Sequence, residues 1–207
     1  MPYPKYWTNE KLNQLKLLYD SGLSMKEVGE QIGKSIWAIN SVMKRNRLNR
    51  RQANQTRTIQ FNKSPLSFNP KIKLSLSEKQ LKVAGLMLYW GEGAKKNKNG
   101  QINLANADPQ IISVFIAFLR RIYKIQESKL RCHLYCFDTQ NIQEEVNYWS
   151  ELTQIPQHQF IRPYITTNKN PSHAKISHGV CHIVYSDKRL FNLMLSEIHK
   201  LVDNLNC

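Results

Sequence analysis

The sequence lacks an apolar stretch of the roughly 18 residues that a transmembrane helix needs, and its N-terminus lacks the apolar core of a signal peptide. Acidic residues are also scarce, with 15 Asp and Glu against 30 Lys and Arg and a net charge of +15. We therefore expect a soluble, cytoplasmic protein without a membrane partner. Its basic excess predicts a polyanionic partner, nucleic acid before an anionic membrane surface.

Cysteine is scarce as well, which fits a reducing compartment and excludes a dense disulfide framework. The four positions are Cys132, Cys136, Cys181 and Cys207. Three of them, Cys132, Cys136 and Cys181, could form a zinc site together with His178 and His182. The spacing Cys-x3-Cys is not that of a zinc knuckle, and no Cys-x2-Cys pair is present. We favour structural cysteines and surface histidines over zinc.

Residues 8–50 predict three short helices, each preceded by a residue that favours the N-cap position: Thr8, Ser24 and Ser35. Gly33 stands in the turn between the second and third helices, where a positive φ is favoured. Gly29 is the small residue at which those two helices are expected to cross. The pattern is that of a helix-turn-helix, with a helical hairpin that does not bind DNA as the alternative.

Residues 31–40, Gln-Ile-Gly-Lys-Ser-Ile-Trp-Ala-Ile-Asn, resemble the same stretch of Cro/repressor-type and invertase-type DNA-binding modules. The resemblance implies that the third helix enters the major groove of DNA. Base-edge contacts are predicted for the N-terminal residues Lys34, Ser35, Ile36, Trp37, Asn40 and Ser41. Backbone contacts are predicted for Lys44, Arg45 and Arg47. Trp37 fits a place in the core equally well.

No Asp or Glu occurs from Lys44 to Lys73, and the segment is rich in Asn, Gln, Ser and Thr. Such a composition predicts an extended or flexible basic linker over residues 51–74. DNA contacts there are assigned to Arg50, Arg51 and Arg57. A plain solvated linker is the alternative, although Phe61 and Phe68 indicate that parts of the segment dock.

Residues 75–207 predict a third region that mixes helices and strands. Alternating polar and apolar residues predict strands at 101–105, 129–136, 159–166 and 180–185, and helical spacing predicts helices at 108–122 and 142–152 and after Asp187. The fold class is therefore mixed α/β (α+β). A small all-α module over 1–50 precedes the linker, and an α/β domain over 75–207 follows it.

The stretch 83–93 is the one apolar run long enough for a buried helix. Ser75-Leu76-Ser77-Glu78 is predicted to cap the start of this helix, which ends in Gly91-Glu92-Gly93. Residues 85–93, Gly-Leu-Met-Leu-Tyr-Trp-Gly-Glu-Gly, resemble the LAGLIDADG motif of homing endonucleases. The order of elements extends this resemblance over residues 76–205. The family's fold, a mixed sheet with packed helices, is then expected for the C-terminal domain.

The resemblance implies a mechanism on double-stranded DNA. Only one motif is present, so two subunits of a homodimer would pair their motif helices on a two-fold axis. Glu92 would then be both the catalytic residue and the ligand of Mg²⁺ for phosphodiester hydrolysis. The sheet's polar face would lie in the major groove. The DNA contacts implied in this domain are Lys95, Lys96, Lys98, Gln101, Asn103, Lys129, Arg131, His133 and Arg162.

Two other functions remain open. Some members of the family bind DNA without cutting it, so a non-catalytic, sequence-specific transcriptional regulator on the same fold is the first alternative. The second is a basic RNA-binding or structural protein. An RNA binder more often displays exposed aromatic residues on its sheet, and here Tyr135 and Tyr164 are the only candidates.

Overall fold

The structure, a computed structural model, describes residues 6–96, 100–167 and 178–205 and divides into two compact units. The first unit is Met1–Pro65 and the second is Leu66–Cys207. Within the described ranges the first unit is helical, and the second combines helices with a four-stranded sheet. The predicted mixed α/β fold class is confirmed. Among the described residues, no helix is long and apolar enough to cross a membrane.

The first unit contains the helices α1 (Asn9–Asp20), α2 (Met25–Ile32), α3 (Ile36–Arg45) and α4 (Ala53–Lys63). The three predicted N-caps are confirmed, because the side chains of Thr8, Ser24 and Ser35 each accept a hydrogen bond from a backbone N–H of the first turn. The helices enclose a small core built from Leu15, Tyr19, Val28, Ile39, Val42 and Met43.

Helix α4 differs from the predicted flexible linker, since Ala53–Lys63 is a regular helix of the first unit. None of its residues is fully buried, and its sequence has only a weak apolar stripe, which concealed it. The helix docks through a few contacts. Ile59 lies close to Gly22, and the Lys63 ammonium donates a 3.1 Å hydrogen bond to the Gly22 carbonyl.

The second unit has a mixed sheet in the order β1-β4-β2-β3, in which β2 and β3 are parallel and the other pairs are antiparallel. Its strands are β1 (Ile102–Asn106), β2 (Leu130–Phe137), β3 (Phe160–Thr166) and β4 (Val180–Tyr185). Its helices are α5 (Leu76–Glu92), α6 (Pro109–Tyr123), α7 (Ile142–Thr153) and α8 (Lys188–Leu205). All eight elements agree with the predicted positions to within a few residues.

One face of the sheet carries the core of the second unit. The inward side chains, among them Leu104, Leu130, Leu134 and Ile183, are fully buried in one cluster with residues of the helices. Burial of side chains of this size is worth about 1.5–3 kcal/mol each. Most outward side chains of the same strands are partly or largely exposed, although Val184 is buried. The sheet therefore has one covered and one open face.

The segment before α5 is anchored to the second unit and is not a free linker. Phe68 is buried in its core, and the backbone N–H groups of Asn69 and Lys71 donate to the carbonyls of Tyr123 and Ile122 at 2.8 Å. Ser67 donates a 2.6 Å hydrogen bond to the buried carboxylate of Asp187. The docking that Phe68 indicated is thus present.

Helix α5 begins at a capping box in which Ser75 and Glu78 satisfy each other's backbone N–H groups. The Lys71 ammonium lies 2.7 Å from the Glu78 carboxylate. The hydrogen bond from Lys71, followed by that from the Ser75 backbone, lowers the pKa of Glu78 to about 2. The helix start is held by a carboxylate that stays ionised down to low pH.

Candidate nucleic-acid interface

The turn between α2 and α3 has the geometry of a helix-turn-helix. Gly33 adopts the left-handed conformation, with a φ of 71°. A Cβ on Gly29 would lie 2.5 Å from the Lys34 carbonyl oxygen, so the chain passes too close for any side chain. Both glycines thus stand where the sequence predicted a positive φ and a close crossing of the two helices.

Helix α3 presents a broad exposed face opposite its buried residues Ile39, Val42 and Met43. Trp37 is 78% exposed and Ile36 is 49% exposed. This decides between the two places predicted for Trp37, which stands in solvent and not in the core. The remaining predicted contact residues on this helix are half-buried or exposed: Asn40, Ser41, Lys44 and Arg45.

The two residues before α3 are already engaged within the unit. The Ser35 hydroxyl oxygen accepts a 3.3 Å hydrogen bond from the Ala38 N–H, as the N-cap of the helix. The Lys34 ammonium lies 3.7 Å from the centroid of the Tyr6 ring, and the Lys11 ammonium lies at the same distance from that ring. These contacts hold Lys34 and Ser35 at the start of α3.

The predicted arginines after α3 divide into two groups. Arg47 and Arg50 are exposed, and Arg57 of α4 lies with Arg50 and Ile36 on one cleft of about 610 Å³. The structure therefore brings these two arginines to the start of α3. Arg51 is instead folded onto its own unit. Its guanidinium lies 4.0 Å from the centroid of the Tyr19 ring and donates to the Leu23 carbonyl.

The electrostatics of this surface favour a polyanion, because every charged residue from Lys34 to Lys63 is basic. The acidic residue nearest to the start of this stretch is Glu30, which pairs with Lys26 across one turn of α2. Positive charge on and beside an exposed helix of a helix-turn-helix is the arrangement that phosphate contacts require.

Glu92, the predicted catalytic and metal residue, is the last residue of α5 and is exposed. Within the described ranges, no group of three or more His, Cys, Asp or Glu side chains is placed to hold a metal ion. Lys95 bends back to donate to the Trp90 carbonyl, and Lys96 is exposed. Lys98 lies outside the described residues.

The predicted sheet residues are partly gathered on the open face. Strand pairing places Asn103 and Arg131 on either side of Val184, and it places His133 opposite His182. Gln101 donates a 2.7 Å hydrogen bond to Ser186. Lys129 differs from its predicted strand position, since it closes the 3-10 turn Glu127–Lys129 before β2. Arg162 is exposed at the irregularity where β3 departs from a regular register with β2.

The sequence did not single out His182 as part of this face. Its ring stacks on Tyr135 at a centroid distance of 4.1 Å. Burial lowers the pKa of His182, and the neighbouring His133 lowers it further. The period-two alternation of β4 was the available signal, but His182 was grouped with the cysteines as a zinc alternative.

The cysteines are packed in the core of the second unit. Cys132, Cys136 and Cys181 are buried, and the Sγ atoms of Cys132 and Cys181 are 3.2 Å apart. Burial raises the pKa of Cys136 to about 11, so its thiol is protonated at neutral pH. His178 makes a 2.9 Å contact with the Glu145 carboxylate. Cys207 lies outside the described residues.

The first unit combines helix-turn-helix geometry with basic surroundings, an arrangement suited to DNA. In agreement, residues 5–106 match the sequence model of a family described as GcrA cell cycle regulator. The match spans just under half of the chain and is a similarity to that family. Comparisons with curated proteins and with solved structures give no match.

The LAGLIDADG resemblance is wrong. The family match covers residues 85–93 and relates them to a different family. The structure supplies a physical reason for the small residue in that stretch. A Cβ on Gly85 would lie 2.1 Å from the Phe118 ring. The small residue is therefore needed for packing against Phe118 of the same chain, and not for packing against the motif helix of a second subunit. The predicted homing-endonuclease activity was implied by this resemblance and loses its support with it.

Proposed function

We propose that this protein is a transcriptional regulator that binds double-stranded DNA through the first unit. The observation that carries the proposal is the exposed face of α3, where Trp37 and Ile36 stand in solvent on a fully formed helix-turn-helix. A large indole left in water on the recognition helix costs hydrophobic free energy unless a partner covers it. The similarity to a regulator family over residues 5–106 supports this function.

The proposed roles follow the groove geometry. Asn40 and Ser41, one turn after Ile36 and Trp37, face base edges, where an amide recognises adenine with two hydrogen bonds. Trp37 and Ile36 contact thymine methyl groups or the sugar edge of the groove. Exposed cations hold the phosphates: Lys44, Arg45, Arg47, Arg50 and Arg57. The location that such a regulator requires is the cytoplasm, at the nucleoid.

Selection from a randomised duplex library tests this assignment. We expect the wild-type chain to enrich one sequence and Asn40→Ala to relax the preference at one position, at a cost of about 1–3 kcal/mol on the selected site. Arg57→Ala should weaken the binding of all duplexes by the same factor. It should also reduce the slope of log binding constant against log salt concentration by about 1. Equal losses on every sequence from both variants would refute the recognition-helix assignment.

Duplex binding measured in MgCl₂ and in EDTA tests whether recognition needs Mg²⁺. Binding of Mg²⁺ by Glu92 stays a prediction with a single carboxylate as its candidate ligand. Specific duplex binding that is equal in both buffers, and equal in Glu92→Gln, supports a regulator that needs no metal for recognition. Metal-dependent nicks that vanish in Glu92→Gln would contradict the regulator.

We also propose that the second unit forms a homodimer through the exposed stripe of α5. Val83 is 45% exposed and Trp90 is 47% exposed, and Met87 lies between them at helical spacing. Met87 also borders, with Ala84, Leu88 and Gly91, a shallow apolar groove of about 420 Å³. A two-fold interface would cover the same stripe on both copies. This stripe is distinct from Gly85, which packs inward against Phe118.

Val83→Lys should convert a dimer, twice the 24.2 kDa chain, into a monomer in sedimentation experiments. A charge buried at a self-complementary interface faces its own copy, so we expect the dimer dissociation constant to rise at least about tenfold. Ile72→Lys is the matched control, because Ile72 is 96% exposed in the same unit outside the stripe. A wild-type chain that is monomeric at all concentrations would exclude the dimer.

A further inference from the structure

Four rings lie together on the open face of the sheet, and we call them the aromatic platform: His133, Tyr135, Tyr164 and His182. Tyr135 is the centre of the group. Its ring centroid lies 4.1 Å from that of His182, 4.9 Å from that of His133 and 5.1 Å from that of Tyr164. The strand register places these residues side by side on three neighbouring strands. The sheet thus presents a contiguous cluster of aromatic rings, inclined to Tyr135 by 29° to 75°.

The aromatic platform is open to solvent. Tyr135 is 41% exposed and Tyr164 is 56% exposed, whereas the alternate residues of β2, such as Cys132 and Leu134, are fully buried on the opposite face. The core helices pack on that opposite face. Large aromatic side chains gathered on an exposed sheet surface are a binding feature, because an isolated fold gains nothing by leaving them in water.

The charge around the platform selects the partner. None of the four strands contains an Asp or a Glu. Arg131 is on the open face, with its guanidinium oriented by the carbonyls of Ser128 and Leu130 at 2.6 and 2.8 Å. Arg162 is exposed on β3. Exposed rings next to cations, without carboxylates, suit a polyanion that also offers flat faces for stacking, which is a nucleic acid.

The strandedness of that nucleic acid follows from the rings. In a duplex, each base face is covered by its neighbours, and only base edges and phosphates are accessible. Stacking on tyrosine and histidine rings therefore requires unpaired bases. The lowered pKa of His182 keeps that ring neutral at physiological pH, where it stacks as an uncharged aromatic. The face is thus suited to a single strand.

We propose that the aromatic platform binds single-stranded DNA by stacking about two unpaired bases on its rings, with Arg131 and Arg162 near the phosphates. This site is separate from the duplex site of the first unit. The choice of DNA over RNA rests on the proposed function, because one chain that holds duplex DNA raises the local concentration of any unpaired DNA strand nearby. The choice of a single strand rests on the rings alone.

Fluorescence anisotropy of the full chain with a labelled single-stranded DNA of about 12 nucleotides tests the proposal. We expect Tyr164→Ala to weaken this binding by about 5- to 150-fold, the usual loss for one stacked base, and to leave duplex binding unchanged. Tyr164→Phe, which keeps the ring and loses only the hydroxyl, should retain wild-type affinity. Because Tyr164 is more than half exposed, its truncation leaves the core intact, which circular dichroism would verify.

Three results would overturn the proposal. One is single-stranded DNA affinity that is unchanged in both Tyr164→Ala and Tyr135→Ala. Another is tighter binding of single-stranded RNA of the same sequence, and the third is capture of an acidic peptide in place of either nucleic acid. Asn40→Ala distinguishes the two sites, because it should weaken binding of the selected duplex and leave binding of single-stranded DNA unchanged. A chain that binds no duplex but still binds single-stranded DNA through Tyr164 contradicts the proposed function and leaves the platform standing.

Discussion

Gly85→Ala is expected to lower the free energy of unfolding of the second unit by about 2–3 kcal/mol. The added methyl would meet the Cγ, Cδ1 and Cβ atoms of Phe118 at 2.1–2.6 Å. Phe118 is fully buried between α6 and its neighbours, so its ring cannot swing aside. The helices α5 and α6 must separate instead, which opens the core around them. For a unit of this size, the melting temperature should fall by roughly 5–10 °C.

Gly91→Ala provides the matched control in the same helix. Among the described residues, no atom beyond its chain neighbours and the backbone of its own helix lies within 4 Å of the position that its Cβ would take, so the methyl enters open space. Alanine is the better helix former by as much as about 1 kcal/mol, less near a helix end, and the variant should be neutral or slightly more stable. Gly91 borders the groove proposed as a dimer interface, so thermal unfolding followed by circular dichroism compares the two variants at a concentration low enough to keep the chain monomeric.

The dependence of this loss on protein concentration separates packing within one chain from packing between two. Gly85 contacts Phe118 of its own chain, so the loss in Gly85→Ala should be the same at every concentration. A loss that disappears at high concentration would place Gly85 in a subunit interface and contradict the structure. Equal stability of Gly85→Ala and the wild type would contradict the contact itself.

The sequence predicted most elements because their boundary signals are local. Ser75 and Glu78 mark the start of α5, and Asp187 accepts from the Arg189 N–H at 2.9 Å where α8 begins. Helix α4 has no comparable apolar stripe, and its docking depends on Gly22, more than thirty residues earlier in the chain. A contact of that kind leaves no trace in a local pattern, which is why a helix was predicted as a linker.

The candidate site was predictable in part for the same reason. Gly29 and Gly33 form a local pattern with a backbone cause, and the helix-turn-helix followed from it. The role of Gly85 could not be predicted in this way, because a glycine in an apolar helix is consistent with any close neighbour. Only the fold shows that the neighbour is Phe118. The aromatic platform likewise depends on strand order, which brings His182 of β4 beside Tyr135 of β2.

The second large effect is expected for Gly29→Ala in the first unit. Its Cβ would lie 2.5 Å from the Lys34 carbonyl oxygen, and this neighbour is backbone and cannot rotate away. The Lys34 N–H also donates to the Gly29 carbonyl at 2.8 Å, so the same movement breaks a turn hydrogen bond. We expect a net loss of about 2 kcal/mol after the gain in helix propensity.

A loss of this size should decide whether the first unit remains folded, since a domain of about 60 residues has little stability to spare. The melting temperature of this unit should fall by roughly 8–16 °C, and duplex binding should disappear at temperatures where the wild type still binds. Gly33→Asn is the control. Position 33 has a φ of 71°, and no atom of the described residues beyond its chain neighbours lies within 4 Å of its Cβ site. Asparagine tolerates that conformation at small cost. Duplex binding that survives in Gly29→Ala to the wild-type melting temperature would show that α2 and α3 need no close crossing, and it would remove the geometric basis for α3 as the recognition helix.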